Sequence, residues 1–236
     1  MGAAFWPLLA ITAIYYLSVS IIGALLVVAL GQIQNPGVKG IVVFLPMLIT
    51  YPMWSAHWCA VTEVALRRAA NKPIQIGAVM RNSVANAFPV LLIGLLWLLG
   101  ALVGWALFVI PGTIFIIVFQ VTVPAYIEEK PGIFGAFSRS RVLTRGHRWG
   151  IFGFNLLVNV SLYVISVVGL VGIGLLAGMT GSGPNSAFEY VVLAITMLVF
   201  TPAIFVFIPT LNATVYAALR AEKREPLTGS IEKIFE

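Results

Sequence analysis

The chain has 236 residues, of which 60% are hydrophobic and 9% are charged, and its mean hydropathy is +1.02. Soluble proteins carry roughly 25% charged residues, so this composition excludes an ordinary soluble domain. The net charge is +6 at pH 7. Because the basic residues lie in short segments beside apolar runs, we interpret them as determinants of membrane orientation and as contacts for anionic lipid headgroups, and we do not expect nucleic-acid binding.

Apolar segments of transmembrane length predict an all-α, polytopic membrane protein of about six spans. The predicted spans are residues 5–30, 41–66, 87–110, 113–127, 149–176 and 187–219. The turn dipeptide Pro111-Gly112 is expected to separate the third span from the fourth. No basic residue precedes the first run, so we expect it to span the membrane and not to be cleaved as a signal peptide. Residues 1–236 are therefore predicted to form one integral membrane domain.

The positions of the basic residues predict the orientation. Thirteen of the fourteen Lys and Arg residues fall in 67–81, in 130–148 and in the tail from Arg220, and the exception is Lys39. By the positive-inside rule these three segments face the cytoplasm. We therefore predict a multi-pass protein of the bacterial inner membrane with both termini in the cytoplasm.

A short repeat divides the chain into three helical hairpins, 5–66, 87–127 and 149–219. The motif KPIQIGA at 72–78 resembles KPGIFGA at 130–136, with a weaker copy, EPLTG, at 225–229. Chance recurrence in a Gly- and Ala-rich chain is the alternative.

The repeats open three predicted amphipathic linkers, at 73–86, 131–148 and 226–236. Pro73 and Pro131 are expected in the first turn of a helix. Arg141, Arg145 and Arg148 recur at i, i+4 and i+7, which predicts one shared helical face. Such helices either lie flat at the lipid interface or pack on their own bundle, and the sequence leaves both open.

The linker after the fourth span holds the best candidate site. We predict lipid- or partner-binding groups at these positions: Arg139, Ser140, Thr144, Arg145 and Arg148. The alternative is an internal clamp, in which Arg139 pairs with Glu128 or Glu129 and fixes the angle between hairpins. Glu63 precedes Arg67 by four residues, the favourable order for an ion pair on a helix surface.

No catalytic constellation, metal site or cofactor site is predicted. His57, Cys59 and Glu63 lie in one span, but their spacing does not bring all three to one helical face. Carboxamides recur in the later spans, at Gln120, Asn155, Asn159 and Asn212. Such groups join helices through hydrogen bonds or, in a transporter, line a pathway beside proline-interrupted helices.

Residues 110–153 resemble a known bacterial group. The ordered motifs are IPG at 110–112, PAYIEE at 124–129, GAFSRS at 135–140, LTRG at 143–146 and RWGIF at 148–152, followed later by VYAALRAEK at 215–223. They are similar to the glycerophosphodiester phosphodiesterase membrane domain and the related YciC-like integral membrane proteins. The resemblance implies a six-helix membrane domain. It does not imply phosphodiesterase activity here, because the chain has no Asp and only two His residues to supply metal ligands.

The sequence predicts a non-enzymatic membrane protein that binds or organises lipids or partner proteins at the cytoplasmic leaflet. Its expected partners are membrane lipids, mainly anionic, together with a protein partner or a second copy of the chain. The alternative is a small transporter or channel-like permease, in which an oligomer supplies the pore.

Overall fold

The computed structural model describes residues 5–33, 35–180 and 201–223, and within these ranges the chain is helical and contains no strand. The described helices are α1 (Phe5–Gln32), α2 (Pro36–Ala69), α3 (Ile76–Ala85), α4 (Ala87–Leu107), α5 (Val109–Val118), α6 (Thr122–Glu129), α7 (Ile133–Thr144), α8 (Arg148–Thr180) and α9 (Thr201–Glu222). The predicted linker 226–236 and most of the predicted loop 180–186 lie outside the described residues.

Four stretches are long and apolar enough to cross a membrane: Trp6–Gln32, Ala87–Leu107, Val109–Glu129 and Arg148–Gly169. They coincide with the predicted first, third, fourth and fifth spans. The predicted spans 41–66 and 187–219 include residues or side chains outside the described part of the chain. The all-helical character and the membrane-spanning length of four helices are therefore established.

The turn between α4 and α5 differs from the prediction. It was expected at Pro111-Gly112, but the chain reverses at Phe108, whose backbone is extended and whose N–H bonds the Gly104 carbonyl at 3.1 Å. Pro111 is the third residue of α5. A proline is tolerated there because the first turn of a helix leaves its N–H groups without intrahelical partners.

The predicted fourth span, 113–127, is not one continuous helix. It divides into α5 and α6 at residues 119–121. Pro124 explains the interruption, because its ring would clash with the carbonyl of Gln120, four residues earlier, if the helix continued. With the break, Pro124 becomes the third residue of α6, where its missing N–H costs nothing.

The first two predicted linkers contain short helices, α3 and α7, but their prolines are placed differently from the prediction. The residues that precede these helices are Gln75 and Gly132, so Pro73 and Pro131 lie before the first turn and not within it. α2 ends with Asn71 in the left-handed conformation (φ 54°), and α6 ends with Lys130 in the same conformation (φ 48°). The N–H of Lys72 bonds the Arg67 carbonyl at 2.8 Å, which completes a Schellman-type helix end at Asn71.

Arg141, Arg145 and Arg148 do not share a helical face, so that prediction is wrong. α7 ends at Thr144, Arg145 is extended, and Arg148 begins α8. Gly146 has φ +93°, a conformation that glycine adopts without steric cost. The chain therefore turns between the second and third arginine of the pattern.

The packed core lies at the end of the bundle that carries the basic connections, which we call the basic end. One apolar cluster joins α2 and α5–α9, through Leu66, Ile117, Val121, Ala125, Leu143, Ile151, Ala213, Tyr216 and Leu219. A second joins α1, α2 and α3, through Ile11, Ala60, Val64 and Val79. Beyond this end the helices expose large apolar side chains, among them Leu156, Leu157, Val160, Val164 and Val168 of α8. Lipid is the solvent that suits such a surface.

Candidate functional site

Glu129 is the centre of an ionic cluster at the basic end. It is the last residue of α6. Arg139 Nε of α7 donates to its two carboxylate oxygens at 2.9 and 2.8 Å. From α9, the Tyr216 hydroxyl donates to Oε1 at 2.7 Å, and Arg220 Nη1 lies 3.6 Å from the same oxygen. We call these four residues the Glu129 cluster.

The cluster joins three helices because of where each one ends or turns. The left-handed Lys130 stops α6 directly after Glu129, so the carboxylate stands at the helix end. Tyr216 and Arg220 are one turn apart on α9, and Arg220 Nη1 donates to the Tyr216 hydroxyl at 3.1 Å. Tyr216 is fully buried and Arg220 is 7% exposed. Charge-assisted hydrogen bonds in such a partly desolvated setting are stronger than neutral ones.

Ser140 and Thr144 face the protein interior. Both are fully buried, and their hydroxyls donate to the Val118 carbonyl at 2.8 and 3.3 Å. Val118 ends α5, so its carbonyl lacks a partner within that helix. The two hydroxyls, predicted as lipid- or partner-binding groups, therefore stabilise the break between α5 and α6 in this arrangement.

Arg145 and Arg148 belong to an exposed basic surface. The exposed cationic residues at this end are Arg68, Arg81, Lys130, Arg141, Arg145 and Arg148. Within the described ranges, no ion pair or hydrogen bond involves their side chains. Phe134 and Trp149 lie beside them in sequence and are 78% and 85% exposed. We call this set of cations and rings the basic-aromatic surface.

The acidic side chains at this end are partly or fully buried or are paired with a neighbouring side chain. Glu63 is 8% exposed and lies 2.8 Å from Arg67 Nη2, and Asn82 Nδ2 of α3 donates to it at 3.1 Å. Glu128, the other predicted partner of Arg139, is half-buried beside Glu129. The exposed surface at the basic end is therefore dominated by positive charge.

Two contacts join the residues after Arg139 to the end of α9, and local spacing in the sequence predicts neither of them. His147 Nε2 lies 2.7 Å from Glu222 Oε1, and Lys223 Nζ donates to the Val142 carbonyl. Each partner is distant along the chain, so no helical or strand periodicity relates them. Together with the Glu129 cluster they hold the linker against the end of α9.

Three of the four predicted carboxamides meet at the break between α5 and α6. Gln120 Nε2 donates to Asn155 Oδ1 of α8 and to Asn212 Oδ1 of α9, both at 3.1 Å. Asn155 Nδ2 returns a bond to Gln120 Oε1 at 2.8 Å. Asn159, in contrast, bonds the Asn155 carbonyl of its own helix. These three residues, which we call the amide cluster, thus connect α8 and α9 to the break between α5 and α6.

His57 and Cys59 lie within α2 and are not part of the Glu129 cluster. His57 Nε2 is 3.2 Å from the Thr12 hydroxyl, and its ring stacks on Tyr15 with centroids 4.7 Å apart. Cys59 is buried with a free thiol. In the described part of the chain, no group of three His, Cys, Asp or Glu residues is arranged to hold a metal ion.

Comparison with protein-family models, with curated proteins and with solved structures gives no significant match to the chain.

Proposed function

We propose that this chain is a non-enzymatic integral membrane protein that binds or organises anionic lipids at the cytoplasmic leaflet of the bacterial inner membrane. The proposed topology has six spans in three hairpins, with both termini in the cytoplasm. It combines the four candidate spans with the apolar segments 41–66 and 187–219. The distribution of basic residues supports the orientation.

The observation that carries this proposal is the division of charge at the basic end. Glu63 and Glu129 bond to Arg67 and Arg139, and the exposed Glu222 lies against His147, while six cations of the basic-aromatic surface remain exposed. Exposed guanidinium groups beside exposed rings suit the boundary between headgroups and acyl chains, because the rings enter the apolar layer and the cations contact phosphates. A partner protein with an acidic surface would use the same groups.

The Glu129 cluster has a different role in the proposal. It acts as the clamp that sets the position of α7 against α9, so that Arg141, Arg145 and Arg148 face outward from a fixed scaffold. All four cluster residues fall within the motifs that resemble the YciC-like group, at 124–140 and 215–223. We therefore propose that the clamp is a structural feature that the chain shares with the YciC-like group.

The test is lipid retention by protein reconstituted in nanodiscs that contain zwitterionic and anionic lipid. Mass spectrometry after mild delipidation should show selective retention of anionic lipid, because headgroup phosphates pair with the exposed cations. The variant R141Q/R145Q/R148Q should lose that selectivity. The matched variant R141K/R145K/R148K keeps the charge and should retain most of it. Equal retention by all three proteins would contradict the proposal. A stoichiometric protein partner that copurifies before reconstitution would instead indicate a role in assembly.

The amide cluster favours the alternative, a small permease. Discontinuous helices with polar groups at the break form substrate sites in transporters, and here Gln120 lies at such a break. Substrate-dependent flux in liposomes that is lost in Gln120→Leu, with folding retained, would support this alternative. If Gln120→Leu only lowers thermal stability, the amides serve to join helices.

A further inference from the structure

The described membrane helices differ in length. α1, α2 and α8 contain 28, 34 and 33 residues, or about 42, 51 and 50 Å at 1.5 Å per residue. The stretches Ala87–Leu107 and Val109–Glu129 contain 21 residues each, which corresponds to about 31 Å at the helical rise. The hydrocarbon core alone is roughly 30 Å thick. Each limb is therefore just long enough for the hydrocarbon core and has no length left for the headgroup layer beyond it, because the bilayer with its headgroups measures roughly 40–45 Å.

The cytoplasmic ends of this hairpin are anchored by charge. Arg81 is exposed six residues before Ala87, and Glu129 of the Glu129 cluster ends the returning limb. Because these groups stay at the headgroup level, the turn at Phe108 rises no further than the distal edge of the hydrocarbon core. Tilt of the helices lowers it further.

The composition of the turn agrees with this depth. Residues 87–112 contain no charged residue and no Ser, Thr, Asn, Gln or His. The apex, residues 105–110, exposes large apolar side chains, with Phe108 at 78% and Ile110 at 72%. In contrast, the connection 31–39 contains Gln32, Gln34, Asn35 and Lys39.

The two limbs of the hairpin also pack closely against each other. A Cβ on Gly104 would lie 2.8 Å from the Gly112 Cα, and one on Gly100 would lie 2.2 Å from the Phe115 ring. The backbone contact at Gly104 requires glycine, as in other close helix pairs in membranes, whereas at Gly100 the Phe115 ring would have to move. The hairpin is thus a compact apolar wedge.

We propose that the apex of the α4–α5 hairpin ends inside the distal leaflet and is covered there by lipid acyl chains. The proposal rests on the orientation given above and refines its second hairpin, whose two limbs enter the membrane and return to the cytoplasmic side without placing the turn in water. It assigns the exposed apolar surface at residues 105–110 to lipid, in place of the short water-facing loop that a standard hairpin would have.

The experiment places single cysteines in a Cys59→Ala background. Ser138→Cys reports the cytoplasmic side and Ser182→Cys the opposite side, and Phe108→Cys reports the apex, with Val109→Cys as a second apex site. A membrane-impermeant maleimide should label Ser138→Cys only in inside-out vesicles and Ser182→Cys only in right-side-out vesicles. It should label neither apex variant in either preparation, and labelling from the Ser182 side would overturn the proposal.

Fluorescence quenching identifies what covers the apex. A nitrobenzoxadiazole dye is attached to each cysteine in detergent before reconstitution into vesicles. At the apex sites, lipids brominated on the acyl chain should quench strongly, and aqueous iodide should quench several-fold less than at Ser182→Cys. Protection from both quenchers would mean that a protein surface covers the apex, and the assignment to lipid would be wrong. If Ser138 and Ser182 label from the same side, the six-span topology fails, while the quenching still reports the apex.

Discussion

The two described linkers, α2–α3 and α6–α7, share a plan but differ in what they connect. Each begins with a left-handed residue, Asn71 or Lys130, and continues into a short helix with a buried serine. Each short helix donates to a carboxylate on the preceding helix, through Asn82 to Glu63 in the first linker and through Arg139 to Glu129 in the second. The donors Asn82 and Arg139 are 57 positions apart and the Lys-Pro motifs are 58 positions apart, so the two donors occupy nearly equivalent positions in the two copies of the repeat.

The difference lies in the remaining partners of each carboxylate. Glu63 is paired with Arg67 of its own helix, so its contacts stay within the first hairpin and its linker. Glu129 receives Tyr216 and approaches Arg220 on α9, so it joins the second hairpin to the third. The same local plan therefore stabilises one linker locally and makes the other a junction between distant parts of the chain.

The largest expected contrast is between Glu129→Ala and Glu63→Ala. Glu129→Ala removes the one carboxylate that Arg139, Tyr216 and Arg220 share across three helices, which we expect to cost about 2–4 kcal/mol, less than a fully buried pair because the site is partly exposed. Loss of Glu63 leaves Arg67, which still approaches the Pro73 carbonyl at 3.4 Å, and should cost about 1 kcal/mol. Reversible unfolding in mixed micelles measures both, and equal losses would contradict the comparison.

A second contrast tests the donors. Arg139→Ala should lower the free energy of unfolding by about 2 kcal/mol, because it leaves a partly buried carboxylate with a lost charge partner. Asn82→Ala removes one neutral donor from Glu63, which keeps Arg67, and should cost about 0.5–1 kcal/mol. Unchanged thermal stability of Arg139→Ala in detergent would show that the clamp is wrong and that Arg139 serves an external contact.

The buried serines provide a smaller contrast. The Ser140 hydroxyl bonds the Val118 carbonyl of another helix, whereas the Ser83 hydroxyl bonds the Val79 carbonyl of its own helix. Ser140→Ala should cost about 1 kcal/mol, because a carbonyl at a helix end loses a donor. Ser83→Ala should cost less, because Val79 keeps its helical bond and the other group that Ser83 contacts, the Cys59 thiol, is a weak hydrogen-bonding partner. Thermal unfolding midpoints of the two variants, compared with the parent, decide this, and the reverse order would exclude the proposed role of Ser140.

The smallest contrast concerns the left-handed residues. Lys130→Gly should stabilise the protein by about 0.5–1 kcal/mol, since glycine adopts positive φ without the steric cost that a lysine bears. Asn71→Gly should gain less, because asparagine tolerates this conformation. Differential scanning fluorimetry is sensitive enough to rank the two, and a loss of stability in Lys130→Gly would show that its side chain contributes elsewhere.

Local patterns in the sequence predicted much of the helical architecture. Apolar runs placed the four candidate spans, and the four-residue spacing brought Glu63 and Arg67 to one face. Proline positions were less informative, because a proline suits both the first turn of a helix and the residues before it. Pro111 and Pro124 lie in the first turn of a helix, whereas Pro73 and Pro131 lie before the first turn.

The long-range contacts of the candidate site could not be read from periodicity. Glu129 and Tyr216 are separated by 87 residues, and Gln120 and Asn212 by 92. Which carboxylate or amide a distant helix meets depends on how the bundle packs, and no local spacing records that. The sequence predicts lipid- or partner-binding hydroxyls at Ser140 and Thr144 because a hydroxyl donor beside arginines suits a phosphate group. Their burial depends on the break that Pro124 creates in a neighbouring helix.

The one-residue turn at Phe108 also bears on how the chain enters the membrane. In the proposed topology, residues 31–39, where α1 passes into α2, carry Lys39 and three carboxamides through the hydrocarbon layer during biogenesis, at a cost of several kcal/mol for the charged group alone. The α4–α5 hairpin has no polar loop to translocate. Its two limbs can partition into the bilayer together from the cytoplasmic side as a preassembled pair, so we expect its insertion to depend less on a protein-conducting channel than that of the hairpin before it.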